Sequence, residues 1–414
     1  MGFIQSVVDA GTRNSFIKNS STLKKYGVFG LKLYRFSKEL LVNKSVLANL
    51  SRIPIEIIEL DAYRNVFCGY YDVSPFRPGS SSYLLLNCNN FSSWIQPSVK
   101  RETDLVLYHR VDGSYKIMDS TKAWNWQQGS RLQWLDQDHV IYNTYTDSIR
   151  SVVYNVVTGH REILPVNVTM AYKNQFIIAI DYHTLTECSE YGYPGISDCG
   201  RDEAIKRYWL GSGKTETLFV SSDISKLLHY ESSFMHHINH ILLNLMGDRF
   251  VFIYRFYANQ RRLDSLLSYD FTQNKVKVLI SYETISHYTW RDEKTLLFWG
   301  VISGTPGYYL INTDSGDIEF QIGCNDGHPN FVNEDLLITD ISKSWQAETL
   351  CLYLVNLENK QTTDLLEISH PVVFYKTNRC DMHVSLSEDK ALFEIDSRHR
   401  NYRDVIVGNL DSIV

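Results

Sequence analysis

Several features that mark large protein classes are missing from this chain of 414 residues. It has no run of about 20 consecutive apolar residues, so no transmembrane helix is expected. Its opening, Met1-Gly2-Phe3-Ile4-Gln5, lacks the charged and then apolar stretches of a secretory signal. The seven cysteines are an odd number and form no C-x-x-C pair, which removes the zinc-ribbon reading and most disulfide frameworks. Together these points lead to the expectation of a cytoplasmic protein in a reducing compartment. Proline is scarce, at nine residues, and 44% of the chain is hydrophobic, so a disordered chain is excluded. Basic charge is scarce too. The net charge is −6, and nine lysines and arginines against Asp9 and Glu39 fall within residues 1–52, leaving an acidic body. Such a body does not suit nucleic acid, which rewards basic surfaces.

Short catalytic motifs are also missing. Neither G-x-S-x-G nor G-x-G-x-x-G occurs. Gly211-Ser212-Gly213-Lys214-Thr215 ends like a phosphate loop, but Tyr208 stands where the earlier glycine is needed. Asp136-Gln137-Asp138 matches the D-x-D of metal-dependent glycosyltransferases, yet it occupies a hairpin turn of the kind other repeats fill with similar residues, so a structural turn is expected.

What the chain does contain is aromatic, β-forming sequence, with 27 tyrosines, 19 phenylalanines and eight tryptophans. Seven polar clusters each precede an apolar, strand-like run: Gly69-Tyr70-Tyr71-Asp72, Trp124-Asn125-Trp126-Gln127-Gln128, Tyr191-Gly192-Tyr193, His236-His237-Ile238-Asn239-His240, His287-Tyr288-Thr289-Trp290-Arg291, Asp326-Gly327-His328 and Arg379-Cys380-Asp381-Met382-His383. Their spacing of roughly 40–60 residues is that of propeller blades. Asp- and Gly-containing turns such as Met246-Gly247-Asp248 and Asp292-Glu293-Lys294 divide paired strands within each repeat. The expected fold is therefore all-β, a seven-bladed β-propeller over residues 53–414, with six or eight blades as alternatives. Ile55-Glu56-Ile57-Ile58-Glu59-Leu60 reads as a strand that closes the ring against the last blade, through Asp404-Val405-Ile406-Val407. The segment from Tyr182 to Gly200 reads as a long insertion at the channel mouth.

Residues 1–52 form a separate basic segment. Tyr26, Phe29, Leu33, Phe36 and Leu40 recur at helical spacing, with Lys24, Lys25, Lys32, Arg35 and Lys38 opposite, so a short amphipathic α-helix is expected over residues 22–42. It suits either an anionic membrane surface, with the protein peripheral at the inner face, or packing against the body with its lysines in water.

In a propeller the inner strands start at one end of the central channel, so the seven clusters converge on one pocket. His236, His237 and His240 are the candidate proton acceptors, because imidazole titrates near neutrality. In an unbroken strand His236 and His240 share a side and His237 opposes them. His328, Asn378, Asp381 and His383 offer mixed oxygen and nitrogen donors to one divalent cation, such as Mn, Ca or Mg. Arg255, Arg291 and Arg379 can fork an anionic group. Tyr70, Tyr71, Trp124, Trp126, Gln127, Gln128, Tyr193 and Trp290 complete a set of aromatic and amide walls for a ring-shaped ligand.

With histidines opening the blades and polar turns between strands, residues 61–410 resemble the TolB/WD40-like propellers, and among them the oligogalacturonate lyase family. The resemblance implies a cytoplasmic seven-bladed propeller that cleaves uronic-acid oligosaccharides by β-elimination with a divalent metal. It implies that His328 matches one metal ligand of that family. It implies that Asn378-x-x-Asp381-x-His383 matches the family's Gln-x-x-His-x-His run, with Asn for Gln and Asp for His. The histidines at 236–240 resemble the family's catalytic position, and Arg255 is the candidate for its substrate arginine. The expected partner is an acidic oligo- or polysaccharide. Two other functions fit the same residues: a glycosyltransferase or glycan-processing enzyme of surface-polysaccharide assembly, and a propeller that binds glycan or protein without turnover.

Overall fold

The structure is a computed structural model that describes residues 51–93, 95–196, 203–230, 236–258, 261–342, 349–369, 378–398, 402–411 and 413. The helix expected over 22–42 lies outside these residues.

The described chain is built from antiparallel sheets whose strands follow one another in sequence. The first sheet holds Asn65–Phe67, Ser80–Asn89, Thr103–His109 and Tyr115–Thr121, with the short Phe76–Arg77 against its second strand. The second holds Gln133–Trp134, His139–Tyr145, Ile149–Asn155 and Arg161–Leu164, and the third Met170–Tyr172, Phe176–Ala179, Ala204–Trp209 and Thr215–Val220. A seven-stranded sheet follows: His236–Leu243, Arg249–Ala258, Arg261–Asp270, Lys275–Trp290, Thr295–Ile302, Thr305–Asn312 and Ile318–Ile322. The fifth holds Gly327–Phe331, Leu336–Ser342, Thr349–Asn356 and Gln361–Ser369. The last joins Ser385–Leu386, Leu392–Ser397 and Asp404–Asn409 to the first of the described strands, Ile55–Ile58, which pairs Ile55 with Gly408 and Ile58 with Val405. The expected closure of the two chain ends is observed.

Burial separates inner from outer strands. The second strands read as continuous apolar runs, and residues 84–86, 140–142, 250–253 and 296–298 are essentially inaccessible. A strand buried on both faces must lie in a sheet covered on both sides. Apolar clusters between consecutive sheets supply that cover: Leu85, Leu105, Val140, Tyr142 and Val152 join the first sheet to the second, and Leu297, Tyr308, Phe331, Leu337 and Val355 join the seven-stranded sheet to the fifth. Fourth strands such as Tyr115–Thr121 and Arg161–Leu164 each begin with three exposed residues and form the rim.

The first hairpins share one device. A side-chain oxygen of Asp136, Asn244, Asp292 or Asn333 accepts two backbone N–H groups across the turn; Asp136 takes those of Asp138 and His139 at 2.8 Å each. This is the Asx-turn chemistry for which Asp and Asn are suited. It assigns Asp136-Gln137-Asp138 to a turn, as its sequence context suggested.

Two features depart from the sequence reading. The 182–200 insertion begins with a helix, Tyr182–Cys188, capped by Asp181 accepting from the His183 N–H at 2.9 Å; a second helix is Ser221–Leu227. And Lys275–Trp290 runs unbroken for 16 residues into the His287 cluster, which was read as standing before a strand. Residues 275–290 contain neither Gly nor Pro to stop a strand. The segment bends instead, at Tyr282 (φ +65°) and at register shifts opposite Asp264–Leu266 and between Ile285 and Tyr288. Among the described residues no helix is long and apolar enough to cross a membrane, and the six described cysteines are free thiols.

Candidate functional site

Four imidazoles, one from each of four successive strand openings, gather around one phenol. His240 lies in His236–Leu243, His287 in Lys275–Trp290, His328 in Gly327–Phe331, and His383 two residues before Ser385–Leu386. The Tyr70 ring has its centroid 5.2 Å from His240, 6.3 Å from His287, 5.9 Å from His328 and 4.8 Å from His383. Its hydroxyl bonds His240 Nε2 at 2.7 Å. Neighbouring imidazoles are also close: 5.3 Å for His240–His287, 3.9 Å for His287–His328 and 4.5 Å for His328–His383. Tyr71 and Tyr191 close the group, and all four imidazoles are buried.

Local backbone makes this convergence possible. His240 and His383 adopt left-handed conformations, φ +55° and +50°. Each costs about 1–3 kcal/mol, a strain that persists only where the surroundings over-determine it. At His240 the accompanying register shift between Asn239 and Leu242 breaks the simple alternation expected of residues 236–240. Gly69, at φ +122°, lets the chain run against the Gln128 carbonyl, which a Cβ would meet at 3.0 Å, and so delivers Tyr70.

Carboxylates fix two of the rings. Asp340 accepts from His328 Nδ1 at 2.8 Å and from the backbone N–H groups of His328, Met382 and His383 at 2.6, 3.0 and 3.2 Å. One buried carboxylate thus ties together two adjacent strand openings. With Nδ1 donating to Asp340, His328 turns its Nε2 lone pair away from the carboxylate. His287 Nδ1 is held likewise by Asp326 at 2.9 Å. His328 Nε2 and both nitrogens of His383 are buried without a hydrogen-bond partner, and donor atoms of His328, Asp381 and His383 lie within 4.8 Å of one another. Orphaned imidazole nitrogens beside a carboxylate, with an orienting acid behind, are the donor set of a divalent cation, so these residues fit one. Asp381 is itself oriented by Arg379, whose Nε donates at 2.6 Å and which also pairs with Glu190 and donates to the Tyr191 hydroxyl at 3.2 Å.

Electrostatics separates the roles. Burial, then the charge of Arg255 and the proximity of His287 and His328, drives His240 far below the ordinary imidazole range. Burial and His328 do the same to His383. For His328 burial acts in that direction too, but Asp340 overrides it and the ring is raised. Arg255 is anchored by Asp264 at 3.3 Å and donates to the Ile285 carbonyl at 3.3 Å.

The other expected residues have various places. His236 contacts the Ser221 hydroxyl at 3.3 Å and stacks on Tyr254, while His237 is fully buried against Tyr257 and is pushed down to about 3 by burial and by Arg255 and Arg262. Asn378 engages Gln96, which donates to its side-chain oxygen at 3.1 Å. Trp124 and Trp126 are interior packing around Phe67, with their indole N–H groups donating to the carbonyls of Arg101 and Ile95, so they form no open wall. Gln127 donates to the Arg379 carbonyl, and the Gln128 N–H donates to Asn125. Tyr193 stacks on Tyr182 and accepts from Asn143. Trp290 packs in the sheet core and donates to the Leu242 carbonyl. Arg291 lies at a turn beside Asp292. Four residues of the site were not among the candidates: His287, Tyr191, Asp326 and Asp340. The first three stand inside the quoted clusters. Asp340 carries another signal, a lone acid in the apolar run Leu336-Leu337-Ile338-Thr339-Asp340-Ile341, which needs a partner if it is buried.

No protein-family model matches the chain, and no curated protein does. Solved structures do. An oligogalacturonate lyase in complex with manganese aligns with a TM-score of 0.64 at 10% identity, covering 87% of this chain and 93% of that one. The oligogalacturonate lyase of Vibrio parahaemolyticus aligns at 0.62 and 10%, covering 88% and 95%. At this identity the likeness is one of fold, and with the sequential sheets and the closure of the two chain ends it makes the architecture a β-propeller.

Proposed function

We propose that this chain is a lyase that cleaves uronic-acid-containing glycan by β-elimination, on a propeller of seven blades in which the seven-stranded sheet counts as two sharing Lys275–Trp290. The observation that carries this reading is the ring of His240, His287, His328 and His383 around Tyr70, with Asp326 holding His287 and Asp340 holding His328. The fold shared with two oligogalacturonate lyases supports it.

His240 is the base. It must be neutral to accept a proton, and burial with Arg255 nearby keeps it so. An incoming uronate carboxylate offsets the charge of Arg255 and raises the imidazole toward the working range. His240 Nε2 takes the C5 proton; the C5–H electron pair becomes the C4–C5 double bond; the C4–O bond breaks, the leaving oxygen takes a proton from water, and His240 then returns its own to solvent. Tyr70, bonded to that same nitrogen, orients the ring and hands over its place to the substrate. Arg255 faces the developing negative charge on the carboxylate. His328, Asp381 and His383 would hold a divalent cation, which when bound neutralises the carboxylate and acidifies C5–H. Arg379 and Asp340 keep those side chains aimed.

The test is incubation of the full chain with acidic and neutral oligosaccharides, following ultraviolet absorbance and product mass. Absorbing, unsaturated products from uronic-acid substrates alone are expected. Products that carry added water, or none from any uronate, would refute the reading.

A further inference from the structure

Behind Tyr70 lies a second group of chemistry-bearing side chains that the elimination does not use. Cys68 ends the chain's approach to Tyr70, while Glu394 and Asp396 stand on one face of Leu392–Ser397 in the last sheet. Both carboxylates are about 98–99% buried, and one donor atom from each of the three residues lies within 4.8 Å of the others. Asp396 accepts the backbone N–H groups of Cys68 and Gly69 at 2.8 and 3.4 Å. Glu394 Oε2 accepts from the Ser385 hydroxyl at 2.9 Å, but Oε1 is buried without a hydrogen-bond partner. Two buried acids side by side need a cation or a proton. Arg403 acts on Asp396, yet its guanidinium lies over Trp126 at 4.9 Å and donates to the Arg379 carbonyl. Burial and then the charge of Asp396 raise Glu394 well above the carboxylate range, and burial raises Asp396 to about 7 against the opposing pull of Arg403 and the two backbone N–H groups.

We infer that Cys68, Glu394 and Asp396 form a second cation site, distinct from the histidine ring, for a zinc-class ion. A thiolate with two carboxylates suits zinc or cobalt rather than calcium or magnesium, whose ligands are oxygens alone. Distances of up to 4.8 Å contract modestly when donors close on one ion. Cys68 is only partly buried. On binding, the Cys68 sulfur–hydrogen bond breaks and its proton, with the one Glu394 holds, passes to solvent while sulfur and oxygen bond the metal. The ion would join the first sheet to the last, where the ring closes and two residues from Tyr70.

The experiment is a cobalt(II) titration of the full chain after chelator treatment, read as the near-ultraviolet thiolate-to-cobalt charge-transfer band. The band is expected in the wild type and in His383→Gln, which alters only the histidine ring, and is expected to vanish in Cys68→Ser. A wild type without the band, or a band that survives in Cys68→Ser, overturns the proposal. Glu394→Gln, near-isosteric and uncharged, supplies a second readout that does not depend on the cysteine variant folding. With His383→Gln added to remove the histidine site, its Tm should stay constant as zinc is added, whereas that of His383→Gln alone rises; equal rises in both would also overturn the proposal.

Discussion

Asp340 binds four donors at once, and two of them belong to the opening that carries His383. Removing its charge while keeping its shape should therefore act on His328 and His383 together. Asp340→Asn is expected to weaken manganese binding by about 10–100-fold, the usual cost of losing an orienting partner behind a ligand. Calorimetric titration measures it, and unchanged affinity would mean that the ligands orient themselves. His240→Gln should lower turnover by about 10²–10⁴-fold, as for a lost general base, while leaving manganese affinity intact. At this scale the sequence was informative about residue type and less so about neighbourhood. His328, Asp381, His383 and His240 were legible as candidates because they stand in polar clusters just before apolar runs. His287 was quoted within its cluster but not singled out, because a lone histidine has no second ligand or base candidate at a telling spacing beside it. Trp124 and Trp126 mislead in the opposite sense: tryptophans beside amides suggest a ligand wall, but burial against Phe67 uses them first.

Strand openings are where the fold turns local strain into a site. The left-handed residues Arg131 and His383 each stand two residues before a strand, of the second and the last sheet, and His240 stands at the register shift inside His236–Leu243. Two carry site histidines, and the third carries a structural pair. Arg131 donates to Asp72 at 2.8 Å and to the Thr169 carbonyl, so one buried guanidinium joins the first three sheets. Asp72→Asn leaves that cation without its counter-ion, and a loss of about 3–5 kcal/mol is expected in denaturant unfolding, with Tyr70 displaced because Asp72 is two residues away. A loss below about 1 kcal/mol would show that the Thr169 carbonyl suffices. Strand order, hairpins and ring closure were readable from period-two alternation and from Asp or Asn at turns. The bend in Lys275–Trp290 was not, because a strand that turns through a bulge rather than a glycine leaves no mark in composition.

Across the whole molecule the histidines tie the candidate site to stability. His237, His240, His287 and His383 are all held below the free imidazole value by burial, so the unfolded chain binds protons that the native state refuses. A depressed native pKa means stability that is present above the unfolded value near 6.5 and is lost as pH falls. For His237 the window runs from about 6.5 down to about 3. Its contribution to the slope is about 1.4 kcal/mol per pH unit. His237→Phe should remove that much of the slope in urea melts across pH 6 to 4; an unchanged slope would mean that His237 titrates normally. Closure by Ile55–Ile58 is the other global feature, since it covers the edge of Asp404–Asn409. The most direct test of the account as a whole remains chemical. Chelator-treated protein, the same protein reloaded with manganese, and the reloaded His328→Ala variant should be given a uronic-acid oligosaccharide and followed by ultraviolet absorbance. The account predicts an absorbing product only from the reloaded wild type; equal rates from all three, or no absorbing product from any, would contradict it.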